Sequence, residues 1–268
     1  MIVADITAKD VQALRQATGA GILDARRALV EAEGDHEKAK RWLREQGLAG
    51  ASKRSDRERA EGAVSVVVLG DAKVGAVVSL ECETDFVAKS ADFVRLVDEL
   101  AEALAVDGEA GVVAHVDEID ELKVTLKENI AVGRQVRFDA GEGAVLGSYL
   151  HVQNGRGVNG VLVELAGGTP ELAHDIAVHI AFARPEYLAQ ADVPESAVAA
   201  ERETIEAIAR NEGKPDAQIG KVVEGRLRGW FKERVLLDQP YAKDEKVTIA
   251  QLLAGAKLTR FAQVVVGA

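Results

Sequence analysis

The sequence predicts an α+β fold with three N-terminal helices, a duplicated β-hairpin and helix core, and two longer helices in the second half. Three observations support this prediction. Apolar residues recur at helical spacing over residues 1–50, they alternate along the chain from Gly62, and the alternating unit then occurs a second time. Antiparallel hairpins followed by helices in this way are typical of α+β cores.

Three short helices are predicted in the first part of the chain. The first begins after Thr7, which starts a capping pattern, and it ends at a glycine-rich turn. The second runs from Ile22 to Glu33 and stops before a glycine. Asp35 caps the third helix, which ends at Gly47. Residues 1–50 are therefore predicted to form a compact helical module.

From Gly62 the pattern changes to the alternation of β-strands, after a polar stretch, residues 51–61, that predicts a linker. Two strands joined at Gly70 and one helix after them make core subdomain 1, residues 62–143. The residues expected to share a face are Val64, Val66 and Val68 in the first strand, Ala76, Val78, Leu80 and Cys82 in the second, and Phe93, Leu96, Val97, Leu100 and Leu104 in the helix.

The same unit recurs at a constant offset in sequence (160 − 75 = 85 and 169 − 84 = 85). The recurring positions are Gly62, Val67, Gly70, Gly75, Val78, Leu80 and Thr84, then Gly147, Val152, Gly155, Gly160, Val163, Leu165 and Thr169. We therefore predict a second hairpin and a helix over 171–184. Residues 144–190 and 235–268 are assigned to core subdomain 2, which the apolar run 247–266 rejoins.

Two amphipathic helices are predicted within residues 191–234, separated by a turn at 211–215. Their apolar stripes are Val198, Ile205 and Ile208 in the first and Ile219, Val222, Val223, Leu227 and Trp230 in the second. The pattern fits two helices packed on the surface as well as it fits a projecting antiparallel hairpin.

Composition excludes several classes of function. The chain of 268 residues has a net charge of −11 and 4% aromatic residues, which argues against nucleic acid as the main partner. Its longest apolar runs, such as 63–69, suit a strand and not a membrane span. The N-terminus shows no secretory pattern, and the single Cys82 makes no internal disulfide, so we expect a cytoplasmic protein.

Motifs of catalysis and cofactor binding are weak or missing. Residues 155–160 match GxGxxG, but a strand follows them where a dinucleotide site needs a helix, so we predict a hairpin turn. His174 and His179 are five apart on a helix, too far around the axis for a metal pair; one is expected to be partly buried and the other exposed. Cys82 alternates with core positions and is expected to be buried. We predict no cofactor, no metal and no catalytic residue.

Two segments resist a purely structural interpretation. In 14–29 the pair Ile22 and Leu23 follows a glycine turn, and it either fills the small core or forms an exposed docking patch. In 80–89, Phe86 would join the core stripe if one helix ran from Thr84, and would stand on a loop if the helix began at Ser90. In the second copy Thr169-Pro170-Glu171-Leu172 lacks the Asp-Phe pair. A residue needed only for the shared fold should appear in both copies, so Phe86 is favoured as a functional residue.

These two segments together resemble the two signature motifs of the bacterial elongation factor Ts family, the exchange factors of the GTPase elongation factor Tu. The likeness extends to Val223-Glu224-Gly225-Arg226 and to Gln239-Pro240-Tyr241, and so covers nearly the whole chain. It implies a ubiquitin-associated-like (UBA-like) N-terminal module, a two-part core and an antiparallel coiled-coil insertion.

The resemblance also implies roles for individual residues. One motif disturbs the magnesium and phosphate site of the partner, and the residues that match it are Thr84, Asp85, Phe86 and Val87. The other motif docks the N-terminal module, and the residues that match it are Arg15, Ile22, Leu23 and Arg26. His151 matches the family's histidine in the second subdomain. Ile22-Leu23 stands where many members carry two methionines. Longer members continue beyond the residues that match 264–268 into a C-terminal helical module, and we expect that contact to be absent.

The function that the resemblance implies is guanine-nucleotide exchange in translation elongation, by contact with elongation factor Tu and without direct nucleotide binding. A homodimer of the complex is one expected assembly. Two alternatives stay open. One is an oligomeric scaffold built on the helical hairpin, with exchange secondary. The other is an independent enzyme that uses Asp85 with His151 or His179 as acid and base.

Overall fold

A computed structural model describes residues 6–52 and 54–267. Residues 1–5, where the sequence shows no secretory pattern, lie outside the described part, as do Lys53 and Ala268. The fold is α+β as predicted, with three helices followed by antiparallel sheets and further helices. Within the described part, no helix is both long enough and apolar enough to span a membrane.

The N-terminal module consists of α1 (Ala8–Thr18), α2 (Ile22–Glu31) and α3 (His36–Ser52). Thr7 caps α1 as predicted, because its hydroxyl accepts the N–H of Asp10 at 3.3 Å and its own N–H donates to that carboxylate. The second helix ends at Glu31, two residues before the predicted end. Buried Leu14, Ala25 and Leu29 form the centre of the module's small core.

The first core sheet contains three antiparallel strands in the order β1-β2-β3. The elements in chain order are β1 (Glu61–Leu69), β2 (Val74–Cys82), α4 (Asp85–Ala88), α5 (Ala91–Asp107), α6 (Glu109–Ala114), α7 (Val116–Leu126) and β3 (Ala131–Asp139). All five residues of the predicted α5 stripe are buried, and they pack on the face of β2 that carries Ala76, Val78, Leu80 and Cys82. Burial raises the pKa of the Cys82 thiol to about 12, which fits a core residue and not a nucleophile.

The third helix does not end at Gly47, as the sequence predicts, but continues to Ser52. A Cβ at Gly47 would lie 2.4 Å from Cγ1 of Val124 in α7, so this glycine permits close packing of α3 on α7 and does not terminate the helix. The predicted linker is also attached to the core, since the Asn129 side chain donates to the carbonyls of Ser55 and Arg57 at 3.0 and 2.7 Å.

The second core sheet has the order β4-β5-β8 and carries one helix on its outer face. Its elements and the insertion within it are β4 (Ala144–Gln153), β5 (Arg156–Ala166), α8 (Pro170–Ala183), α9 (Glu195–Asn211), α10 (Asp216–Arg234), β6 (Pro240–Tyr241), β7 (Asp244–Thr248), α11 (Ile249–Leu252) and β8 (Lys257–Val265). The apolar run 247–266 thus rejoins the second sheet through β8, as predicted.

The two sheets pack face to face, with Val64 and Val77 of the first against Leu146 and Leu162 of the second. Glycines of the GxGxxG pattern allow the two sheets to approach each other closely. A Cβ at Gly157 would lie 2.1 Å from the Val64 carbonyl oxygen. Asn154 and Gly155 form the turn between β4 and β5, which confirms the predicted hairpin.

The duplication is visible in the structure, although its first strands are displaced. Thr84 and Thr169 both cap the helix that follows their hairpin. The turn between β1 and β2 has four residues, 70–73, whereas that between β4 and β5 has two. Consequently Val67 pairs with Ala76, while Val152 pairs with Gly157 and not with the equivalent Val161. The constant offset in sequence therefore does not carry over to the pairing of the first strand.

Helices α9 and α10 form an antiparallel hairpin with an apolar seam of its own. Ile205, Ile219, Val223 and Leu227 are buried in this seam, which includes residues of the hairpin alone. The arrangement therefore matches the projecting hairpin and not two helices laid on the core. Ile208 was predicted to lie in the seam, but it is 43% exposed because Ala209 takes the inward position.

Candidate functional site

The segment after β2 presents an aromatic side chain to solvent. Phe86 is 83% exposed, although it lies between two stretches of core. The continuous helix from Thr84 is wrong, and the helix that begins at Ser90 is confirmed, although Phe86 lies on the separate single turn α4 and not on an irregular loop. Val87 and Ala88 point into the core and anchor this turn. The exposed side chain is thus carried on an anchored turn.

Asp85 lies beside Phe86 and is held as a carboxylate. Lys89 forms an ion pair with it one helical turn later. The hydrogen bond from Lys89 is the main cause that lowers the pKa of Asp85, with a smaller contribution from the charge of Arg156. The site therefore presents an apolar ring next to an ionised carboxylate that is paired with Lys89.

The predicted docking residues also lie on the surface. Ile22 is 58% exposed and Leu23 is 80% exposed, so the pair does not fill the module's core. The Arg15 guanidinium donates to the carbonyl of Ala20 at 3.2 Å and thereby holds the glycine turn that precedes the pair. Arg26 is exposed on α2. An exposed apolar pair flanked by arginines is suited to binding another protein.

A chain of contacts connects the docking pair to the turn that carries Phe86. Asp24, next to Leu23, accepts a hydrogen bond from Lys127 at 3.2 Å. The adjacent Glu128 accepts the hydroxyl of Thr84 at 2.5 Å. The structure thus joins the two predicted motifs through the loop between α7 and β3. No sequence pattern indicated that this loop connects them.

His151 lies exposed in β4, opposite Asn159 of β5. Its Nδ1 is 3.4 Å from the hydroxyl of Tyr149. Asn159 donates to the carbonyl of Ala181, and the next residue, Phe182, is 80% exposed. Sequence reasoning missed Phe182, although its position off the buried face of α8 was a usable signal.

A buried arginine connects the second hairpin to the first sheet near this site. Arg156 is only 8% exposed, and it donates to the Gly62 carbonyl and to Glu61, both at 2.7 Å. Because Arg156 follows the β4–β5 turn directly, these bonds hold that turn against the start of β1. The two halves of the core therefore meet at the site.

The two histidines of α8 differ in burial, and one mixed group of side chains lies elsewhere on the surface. His174 is exposed, whereas His179 is fully buried, more than predicted. Within the described residues, Glu99, His115 and Glu118 are the group whose ligand atoms could share a cation. Arg95 donates to both oxygens of Glu99 at 2.9 Å and already neutralises that carboxylate.

Comparison with known proteins gives a consistent assignment. A family described as Elongation factor TS matches residues 83–268, a range that begins at the turn carrying Phe86. Proteins called Elongation factor Ts are similar over nearly their whole length. That of Renibacterium salmoninarum is 44% identical over 99% of this chain and all of its own. That of Kineococcus radiotolerans is 44% identical over 98% of each chain.

A third relative, from Acidothermus cellulolyticus, is 43% identical over 98% of this chain and 99% of its own. Identity of this extent includes the N-terminal module, the duplicated core and the helical hairpin. The chain therefore belongs to the elongation factor Ts family, whose members act in the elongation stage of protein biosynthesis.

Proposed function

We propose that this protein is a guanine-nucleotide exchange factor that binds elongation factor Tu loaded with GDP and promotes release of the nucleotide. The observation that carries the proposal is the exposure of Phe86 on an anchored turn. An aromatic side chain left in water beside an ionised carboxylate contributes little to its own fold and is available to a partner. Family membership supports the choice of partner.

The mechanism depends on differential binding. An exchange factor binds the nucleotide-free GTPase more tightly than the GTPase loaded with GDP. Because the coupling is reciprocal, the bound exchange factor lowers the affinity of the GTPase for GDP as much as bound GDP lowers its affinity for the exchange factor. In the complex Phe86 acts as an apolar wedge, and Asp85 brings negative charge toward the magnesium and phosphates. Magnesium demands near-ideal octahedral geometry, so a small displacement of its ligands weakens nucleotide binding. GTP then displaces the factor.

The other exposed residues supply affinity and orientation. Ile22 and Leu23, with Arg15 and Arg26 beside them, dock the N-terminal module on the nucleotide domain, and His151 contacts the partner from the second subdomain. The protein contributes binding energy and no chemical step, so it is not an enzyme, and it holds no nucleotide of its own. Its place of action is the cytoplasm, where elongation takes place.

The test is release of labelled GDP from elongation factor Tu with and without this protein. We expect marked acceleration by the wild type. Phe86→Ala should reduce it by about 10- to 100-fold, the equivalent of the roughly 1.5–3 kcal/mol gained by burying a large apolar side chain.

The matched control is Val113→Ala, which truncates another exposed apolar residue, remote in sequence, in α6. The melting temperature of both variants should stay near that of the wild type. Loss of folding in Phe86→Ala, or an unchanged release rate, would contradict the wedge role.

A further inference from the structure

Glu128 lies in the loop between α7 and β3, directly against the turn that carries Phe86. We propose that it is a positioning residue that fixes the direction of Thr84–Val87, an inference that rests on the proposed exchange function. Glu128 does not need to touch the partner for this role. It acts through the turn.

The Glu128 carboxylate binds this turn with both oxygens. One oxygen, Oε1, accepts the hydroxyl of Thr84 at 2.5 Å. The other, Oε2, accepts the backbone N–H of Glu83 at 3.0 Å and that of Thr84 at 3.1 Å. Hydrogen bonds to an ionised acceptor are stronger than those between neutral groups. Three of them converge on two consecutive residues.

A second set of bonds runs in the opposite direction between the same segments. The carboxylate of Glu83 accepts the backbone N–H of Asn129 at 2.7 Å. Asn129 is buried, and its amide donates to the carbonyl of Ser55 at 3.0 Å. Glu128 therefore holds the backbone of Glu83, and Glu83 holds the backbone of Asn129, the residue after Glu128, an arrangement that we call the reciprocal clamp.

The reciprocal clamp begins where ordinary strand pairing ends. Backbone pairing between β2 and β3 stops at Glu81 and Ala131. Beyond that point the chains separate toward α4 and α7, and the backbone N–H groups of 83, 84 and 129 would lack strand partners. Carboxylate side chains replace the missing strand bonds.

Phe86 depends on this clamp for its direction. With 83% of its surface exposed, the ring has little packing of its own to fix it. Val87 anchors the C-terminal side of the turn in the core. On the N-terminal side the Thr84 hydroxyl accepts the N–H of Val87 while it donates to Glu128, so Glu128 also orients the cap. A turn held at both ends does not have to be ordered when the partner binds.

The experiment compares Glu128→Ala, Glu128→Gln and Glu245→Ala, the last of which removes an exposed glutamate in β7. The first readout, on the free protein, is amide hydrogen exchange. In Glu128→Ala the amides of Glu83 and Thr84 should exchange about tenfold faster than in the wild type, because each loses a charge-assisted bond. Gln keeps one acceptor oxygen and should restore part of the protection.

The second readout is stimulated GDP release from elongation factor Tu. Glu128→Ala should lower the maximal rate by about tenfold and change the half-saturating concentration little, because the N-terminal module still docks. In a Phe86→Ala background the same change should have almost no further effect. A merely structural role would instead lower the rate equally in both backgrounds.

The outcomes separate the two proposals. Unchanged exchange of the Glu83 and Thr84 amides, or an unchanged release rate, overturns the positioning role while the exchange function stands. If Glu128→Ala lowers the release rate equally in the wild-type and Phe86→Ala backgrounds, the positioning role is overturned as well. A wild-type protein that does not stimulate release overturns the proposed function and the positioning role together. Glu245→Ala should match the wild type throughout.

Discussion

At the residue scale, Phe86 and Phe93 show how one residue type takes opposite roles seven positions apart. Phe93 is fully buried and Phe86 is 83% exposed. Ser90 separates them by starting a new helix, so the two rings do not share a helical face. Truncating a buried phenylalanine costs about 3–5 kcal/mol, whereas truncating an exposed one leaves no cavity. Stability measurements alone therefore distinguish the two.

His179 is the buried histidine whose environment predicts a measurable pH dependence. It is 2% exposed, its Nδ1 accepts the N–H of Ala242 at 3.2 Å, and its Nε2 lies 3.0 Å from the amide oxygen of Gln239. This pattern fits the neutral ring with its proton on Nε2. Burial is the main cause that lowers the pKa of His179 below 6.5, and the bond to Gln239 partly opposes it.

We predict that the free energy of unfolding falls as the pH drops below about 6.5, because the unfolded chain then binds a proton at His179 that the folded chain resists. The stability that the neutral His179 contributes is fully present above the ordinary pKa of histidine, and it is lost as the pH falls toward the lowered pKa of the folded state. His179→Gln should be less stable at pH 7.5 by about 1–3 kcal/mol, for the lost buried hydrogen bonds. In urea titrations its free energy of unfolding should also fall less between pH 7.5 and pH 5.5 than that of the wild type.

The matched control for this prediction is His174→Gln, which changes an exposed histidine on the same helix. It should keep the wild-type slope between pH 7.5 and 5.5. A slope that stays the same in His179→Gln would show that another group causes the acid sensitivity.

At the element scale, glycines inside helices divide into two kinds. At Gly47 in α3 an added Cβ would lie 2.4 and 2.6 Å from the two γ-carbons of Val124 and 3.0 Å from its Cβ. Rotation of the valine does not relieve this overlap, so one helix would have to move. At Gly229 in α10, by contrast, an added Cβ meets no atom of the described residues within 4 Å.

This contrast predicts opposite effects of the same substitution. Gly229→Ala should stabilise α10 by about 0.5–1 kcal/mol, because alanine loses less backbone entropy in a helix. Gly47→Ala should destabilise the protein by about 1–3 kcal/mol, because overpacking outweighs the gain in helix propensity. Amide exchange in α10 checks the first prediction and urea unfolding checks the second. Stabilisation by Gly47→Ala would mean that α3 and α7 do not pack this closely.

Local patterns predicted the elements well, and contacts between distant segments explain the failures. The stripe on α5 and the strand alternation are local properties, and they were correct. The end of α3 was wrong because Gly47 faces Val124, a neighbour that periodicity does not reveal. The pairing of the first strand differs between the two copies because the turns that follow this strand differ in length. At the site, the sequence indicated Phe86 and Leu23 but not Glu128, whose partner lies 44 residues away.

At the scale of the whole molecule, the N-terminal module rests on the first core subdomain through both polar and apolar contacts. Arg44 pairs with Asp117 at 2.5 Å, and Lys127 pairs with Asp24 at 3.2 Å. These four side chains are all more than half exposed, so each pair contributes well under about 1 kcal/mol. Packing of α3 on α7 at Gly47 supplies the apolar part. Part of the module's attachment therefore depends on charge, and the rest on the packing of α3 against α7.

We predict that salt loosens this attachment without unfolding either part. At about 1 M salt the screening length falls to about 3 Å, so exposed pairs such as Arg44–Asp117 lose most of their attraction while apolar packing persists. Fluorescent labels on cysteines introduced at Glu31 and Glu102 report the distance between module and core. The native Cys82 is buried and its raised thiol pKa keeps it unreactive. The distance distribution should broaden between about 0.05 and 1 M salt.

Charge reversal separates this pairing from a general effect of salt. Asp117→Arg should broaden the distribution at low salt, because it places two positive groups together, and adding Arg44→Asp should restore the narrow one. Glu121→Gln, which neutralises another exposed carboxylate of α7, is the matched control and should resemble the wild type. A distribution that stays narrow in Asp117→Arg would mean that packing at Gly47 alone sets the position of the docking pair relative to Phe86.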